Sequence, residues 1–452
     1  DFAPLSYGQQ RLWFIDKLEG SIQYHIPAVL RLRGSLEDII LESSFRDIVN
    51  RHAILRTVIE DRDGQAFQRI MPQDKWVMGR MRLISSQHSE AALRSRIEEL
   101  VMTPFDLSSD HKLRVDLIEV GEDESVLVVT LHHIAADGWS IPIIVGELVE
   151  FYNSRLEGRA HDLKDLQVQY SDYSIWQREY LQGEVLDSKL LYWQNKLSGI
   201  EPLNLPTDYS RPAIQSTRGG SIQFEIDREL TGKLQQLSLD HGVTLYMTLL
   251  GALNVLLSRY SGQQDISIGS PIAGRQYQEL EGLVGFFVNA LVLRTDLSGN
   301  PSFSELLGRV KETTLEAYDN QDVPFEKIVD AVVKERDMSR SPLFQVLFVL
   351  NNTGLGDINK QFQGVTFSLE SFIPTTSKFD LEFSFVEESG KLKFSIEYCT
   401  DLYKDSTIRR MSDRFERILQ GITKSEIRIN ELDVLSSAER EEILTGFNST
   451  SK

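Results

Sequence analysis

Val126-Leu127-Val128-Val129-Thr130-Leu131 is an unbroken, largely β-branched apolar run, and it leads directly into His132-His133-Ile134-Ala135-Ala136-Asp137-Gly138-Trp139-Ser140. Such a run predicts a strand buried on both faces, which requires a sheet covered by other elements on each side. Ser140 then reads as a helix cap, with Pro142 in the first turn, where its missing N–H costs nothing. A central strand therefore breaks into a helix N-terminus within a few residues. Two histidines, an aspartate and a glycine sit at that break, close to backbone N–H groups that a helix leaves unpaired. Any chemistry in this chain is expected there.

The surrounding elements extend the α/β pattern. Ala28–Leu32 reads as a strand. Ser35 reads as the cap of a helix carrying Leu41, Phe45, Ile48 and Val49 at helical spacing, and a further helix spans Glu90–Met102. Tyr170 opens a helix predicted to run past Trp193, and Pro202, Pro206 and Pro212 punctuate a connection with little periodicity. The second half repeats the order of elements. Thr244 caps a nearly all-apolar helix, Ser302 and Glu305 form a capping box, and Ser389-Gly390 joins two strands as a hairpin. Two α/β (α+β) lobes with mixed sheets are expected, 1–177 and 178–434, followed by a linker segment at 435–452.

The 452 residues carry a formal net charge of −19, which argues against a general affinity for nucleic acid or anionic membranes. No apolar run approaches the ~20 residues of a membrane span, and Asp1-Phe2-Ala3-Pro4 shows no signal-peptide pattern. A single cysteine, Cys399, supports neither a disulfide framework nor a cysteine metal cluster. A cytoplasmic location is the expectation.

His133-x-x-x-Asp137 admits three readings. On a continuous helix the pair could bind a metal, but a strand precedes it, a glycine follows and no third ligand is near. Both histidines could be hydrogen-bonded core residues that close a strand. The third reading is acyl transfer. His132-His133-Ile134-Ala135-Ala136-Asp137-Gly138 resembles the central motif of the condensation domains of non-ribosomal peptide synthetases, relatives of chloramphenicol acetyltransferase. The resemblance continues in order along the chain. It takes in Ser6–Trp13, Arg51–Thr57, Tyr170–Tyr173 with Trp176-Gln177, Gly285–Asn289 running to Arg294, Asn320–Glu326 and Ser339–Gln345. Asn320 stands where the family usually has histidine, and Ser341 where asparagine is common, which puts substrate-channel details in doubt. The tail from Leu435 to Thr450 is similar to the linker that leads into an adenylation domain.

The resemblance implies two acetyltransferase-like lobes in a V-shaped pseudo-dimer, with the active site in a tunnel between them. It also implies that an acceptor aminoacyl amine attacks a donor acyl or peptidyl thioester. Both substrates would ride on the phosphopantetheine of upstream and downstream carrier domains, with an adenylation domain in the same polypeptide and no cofactor or metal bound by this domain. The residues are consistent with direct attack, since the chain has no Gly-x-Ser-x-Gly elbow and no phosphate-binding Gly-x-x-x-x-Gly-Lys loop. His133 is the candidate for accepting the amine proton or positioning the amine. Asp137 is a further catalytic candidate: it could be a base, but a carboxylate so close to a structural turn is expected to orient the loop by pairing with a buried arginine, Arg56 first and Arg294 as the fallback. Gly138 is either a plain turn glycine or a close-approach point whose N–H could meet an oxyanion. His132 reads as structural, Trp139 as packing. An epimerisation domain, which shares the loop, and a non-catalytic module that recruits a tailoring enzyme or carrier are the alternatives. Ile134-Ala135-Ala136 and the first motif lean towards an upstream L-configured donor.

Overall fold

The computed structural model describes residues 2–83, 90–351, 362–370, 376–424 and 426–441. The part of the expected linker from 442 onwards lies outside them. The chain divides into two compact units. The first comprises 1–188, 273–289 and 355–372, and the second 189–272, 290–354 and 373–452. The expected lobes are unbroken stretches of chain, whereas the first unit also takes in two later segments, one of which meets the central loop.

In the first unit a five-stranded mixed sheet runs in the order Val365–Leu369, His25–Gly34, Glu124–His132, Leu113–Glu119, Gly79–Arg82. Its strands pair antiparallel except for the last, which is parallel to its neighbour. Glu124–His132 is the middle strand and is buried on both faces, as the apolar run predicted. Leu127, Val129 and Leu131 enter the main core against the helix Ser140–Glu157. Val126 and Val128 face the other way, onto Leu93, Ile97 and Val101 of the helix Glu90–Met102. The alternation is the two-residue period of a strand expressed in a largely apolar sequence.

The second unit holds a six-stranded sheet, in order Asn289–Asp296, Asp265–Ile272, Val346–Asn351, Leu381–Glu388, Lys391–Cys399, Gly219–Ile226. Val346–Asn351 is parallel to Leu381–Glu388, which is antiparallel to Lys391–Cys399, so this sheet is mixed too. The apolar helix Leu245–Ser261 is buried without interruption from Met247 to Leu257, and Thr244 caps it by accepting the Met247 N–H at 3.2 Å. Ser302 and Glu305 complete the expected capping box at 3.2 and 2.7 Å. Ser389 and Gly390 take φ values of 54° and 76°, both left-handed, as a two-residue hairpin turn requires.

Away from the central loop, two local expectations fail. The helix beginning at Tyr170 ends at Tyr180, and a new one, Gly183–Lys196, starts at a glycine with φ of 57°. Ser35 does not cap its helix, which starts at Asp38; the Tyr152 hydroxyl takes the Glu37 N–H instead, at 3.1 Å. In that case a tertiary partner replaced a local one.

Candidate active site

The strand Glu124–His132 ends between the two histidines. His132 is its last residue, in register with His25, and His133 lies in the turn that follows. This single residue of difference gives them opposite environments. His132 is wholly buried, whereas His133 is half-buried, with its ring edge-on to Phe286 at 5.1 Å and to Tyr24 at 6.4 Å. The His133 N–H donates to the Tyr24 carbonyl at 2.8 Å.

Around His132, Nδ1 accepts the Ile134 N–H at 3.0 Å, so the ring proton sits on Nε2, 2.9 Å from Ser21 Oγ. Burial pushes its pKa well below the ordinary histidine value, and the neighbouring basic groups His25 and Lys112 push the same way. His132 is therefore a neutral structural residue, as its position implied.

Asp137 is a clamp. Its Oδ1 accepts the Ser140 N–H at 3.0 Å, the Ser140 hydroxyl at 2.8 Å and Arg275 Nη2 at 3.1 Å. Its Oδ2 accepts the Phe287 N–H at 3.0 Å. The side chains of Asp137 and Arg275 are each only 2% exposed. Arg275 also donates to the carbonyls of Leu280 and Leu283 at 2.5 and 2.6 Å and lies over the Phe287 ring at 4.2 Å. Burial lowers its pKa from the usual arginine range, against the pull of Asp137.

The buried arginine is thus Arg275, and both expected partners are corrected. Arg56 ends a 3-10 turn and donates to the Met71 carbonyl at 2.5 Å, while Arg294 pairs with Asp265 at 2.7 Å. Arg275 follows the strand Asp265–Ile272 on an irregular segment, where no periodicity marks its direction. The helix after the loop is also capped differently from the sequence expectation. Ser140 is its first residue, and the Asp137 carboxylate takes the Ser140 N–H.

Several of the motif segments close around this loop. Gln9 Nε2 donates to the Ile134 carbonyl at 3.3 Å, and the Ser6 and Tyr170 hydroxyls meet at 2.8 Å. Tyr170 in turn donates to the Phe286 carbonyl at 2.7 Å. A Cβ on Gly285 would stand 2.3 Å from the Tyr170 ring and 2.5 Å from Phe287, so the segment can thread past them only as glycine. Gly138 is different: it is exposed, its φ is not left-handed, and a Cβ there would meet no atom of the described residues within 4 Å. Neither backbone strain nor protein packing demands glycine at this position.

The assembled site offers a half-buried imidazole, a locked neutral neighbour and a buried Asp–Arg clamp that ties the loop to residues 275–287. The sequence profile of the Condensation domain family matches residues 1–444. Among curated proteins the chain is 44% identical over 460 residues to one of the linear gramicidin synthase polypeptides of Brevibacillus parabrevis, covering 99% of this chain and 6% of that protein. It is 38% identical over 454 residues to bacitracin synthase 3 of Bacillus licheniformis, covering 100% of this chain and 7% of that protein. The chain thus spans a small fraction of the length of these relatives. Among solved structures, the X-domain from teicoplanin biosynthesis superposes with a TM-score of 0.87 at 31% identity, over 96% of this chain and 97% of that one. A four-domain nonribosomal peptide synthetase bound to AMP and glycine matches with a TM-score of 0.88 at 22% identity, over 97% of this chain and 34% of that one, a likeness of fold alone. The chain belongs to the Condensation domain family, and its relatives are synthetases of antibiotic peptides.

Proposed function

We propose that this chain forms amide bonds between carrier-bound substrates. The amine of an aminoacyl thioester attacks the carbonyl carbon of a donor acyl or peptidyl thioester. The tetrahedral adduct collapses with cleavage of the C–S bond, the amine loses one proton, and the thiolate gains one. His133 accepts or orients the amine proton, an effect typically worth about 10²–10⁴-fold. Gly138 leaves room for the thioester carbonyl to approach its N–H. Asp137 and Arg275 hold the loop and do not touch substrate. Both substrates arrive on the phosphopantetheine of partner carrier domains, and an adenylation domain of the same polypeptide would load the acceptor.

The observation that carries this reading is the contrast within the histidine pair. His132 has both ring nitrogens committed, while His133 is the member that reaches the surface of its unit. The test is single-turnover mixing of donor-loaded and acceptor-loaded carriers with the intact protein, read by mass spectrometry of the carrier-bound product. His133→Ala should abolish most amide formation while leaving the circular dichroism spectrum unchanged. Condensation by the variant at the parental rate would sink the assignment.

A second reading is favoured by one specific likeness. The teicoplanin X-domain that this chain resembles at 30% identity was solved in a complex with OxyB. On that reading the chain is an interface module that recruits another enzyme. Tight carrier or enzyme binding with no amide product and no change at the substrate stereocentre would support it, whereas a stereocentre change without condensation would indicate epimerisation.

A further inference from the structure

The histidine pair rests on a segment that lies outside every motif of the chain. The helix Tyr7–Glu19 ends at Gly20, whose φ of 81° turns the chain back beneath the loop. Ser21 follows, only 4% exposed, and a single 3-10 turn, Ile22–Tyr24, leads into the strand at His25. The Ser21 hydroxyl lies 2.9 Å from His132 Nε2 and donates to Asp16 Oδ1 at 2.5 Å. Because His132 Nδ1 already accepts the Ile134 N–H, the hydrogen bonds run one way: His132 Nε2–H to Ser21, and Ser21 O–H to Asp16. The same turn holds the second histidine through the Tyr24 carbonyl.

We propose that Asp16 and Ser21 are positioning residues for His133: they fix His132 as the neutral Nε2–H tautomer and so set the turn on which His133 is carried. This deepens, and rests on, the reading of His133 as the group that handles the amine proton. In the opposite tautomer Nδ1–H would face the Ile134 N–H, donor against donor, at a residue that is 0% exposed. Relief would require moving the 132–134 backbone, and with it the His133 ring. A protonated His132 would lose the same hydrogen bond and place a cation beside His133, lowering the basicity that proton transfer needs. Asp16 reaches His132 only through the Ser21 hydroxyl, so the carboxylate orients the ring without pairing with it as an ion.

His25 does not compete for Ser21. Its Nδ1 donates to the Val101 carbonyl at 2.7 Å, and its ring centre stands 5.8 Å from that of His132. Asp16 lies at the end of a helix and is half-buried, so its replacement leaves the core intact.

The experiment compares Asp16→Ala, Asp16→Asn and Ser21→Ala in the intact protein with two readouts. The first is the tautomer of His132, from ¹⁵N NMR of histidine-labelled protein. The parent and Asp16→Asn should hold the Nε2–H form, because an asparagine oxygen still accepts from Ser21, whereas Ser21→Ala and Asp16→Ala should show mixed tautomers. The second is single-turnover amide formation. Ser21→Ala and Asp16→Ala should lose about tenfold or more, within the range that a ~1 Å misplacement can cost. Their KM for carriers should stay within about twofold, as expected when a transition-state interaction is lost and not uniform binding. A His132 tautomer unaltered by both replacements, or equal rates for Asp16→Ala and Asp16→Asn, would overturn the proposal. A parent protein that forms no amide would count against the condensation reading alone, since the ring-nitrogen readout still decides the relay.

Discussion

Lys112 is buried to 1% exposure immediately before the strand Leu113–Glu119, and its backbone carbonyl accepts the His132 N–H at 3.0 Å. Its ammonium donates to the Asp110 carbonyl oxygen and makes no ion pair among the described residues. Burial pulls its pKa from 10.5 down to about 7; Asp110, Asp106 and Asp16 oppose this, and Arg114 adds to it. The unfolded chain therefore binds this proton more tightly than the folded one. Above about pH 10.5 neither state is protonated and nothing is lost. As pH falls towards 7 the unfolded state alone takes up the proton, so stability falls by about 1.4 kcal/mol per pH unit. Below about pH 7 the full cost remains, on the order of 5 kcal/mol. Lys112→Met keeps the length of the side chain and removes the charge, but it gives up the bond to Asp110, a loss of about 1–2 kcal/mol. The net expectation is a stabilisation of about 3 kcal/mol near pH 6.5 that vanishes at about pH 9–9.5 and gives way to a slight destabilisation near pH 10. Urea titration of 5-fluorotryptophan-labelled protein by ¹⁹F NMR would report it locally, because Trp76 is buried and donates to the Leu113 carbonyl at 2.8 Å. A destabilised variant near pH 6.5, or a difference that does not change with pH, would refute the reasoning.

Arg275→Ala leaves the Asp137 carboxylate buried beside a cavity and frees the carbonyls of Leu280 and Leu283. A loss of about 3–5 kcal/mol in urea denaturation is expected, and Arg56→Ala should cost clearly less because no buried carboxylate among the described residues depends on it. Gly138→Ala should leave the stability within about 0.5 kcal/mol of the parent, the range of ordinary surface changes, because its Cβ meets no atom of the described residues within 4 Å. Its amide-forming rate should nevertheless fall if the thioester approaches there, and an unchanged rate would return Gly138 to the role of a turn residue.

The parts of this fold that were legible are those whose cause is local. The middle strand announced itself because burial on both faces favours a nearly continuous apolar run, and Ser302 and Ser389-Gly390 act within a few residues of themselves. Two of the errors share one physical form, a distant group outcompeting a near one. Ser35 lost its helix to a tyrosine hydroxyl 115 residues away from Glu37, and Asp137 found its arginine 138 residues along the chain. Charge pairing of that range has no period and no spacing, so the sequence pointed to Arg56 and Arg294 and left Arg275 unmarked. The histidine pair lies between these cases. That two histidines close a buried strand was plain; which of them is spent on structure depends on whether the strand stops at 132 or 133. It stops at 132, where the Ile134 N–H turns back onto His132 Nδ1 and Ser21 links the ring to Asp16. On the proposal made above, the division of labour in the loop is set from the end of the first helix, by an aspartate and a serine that no motif singled out.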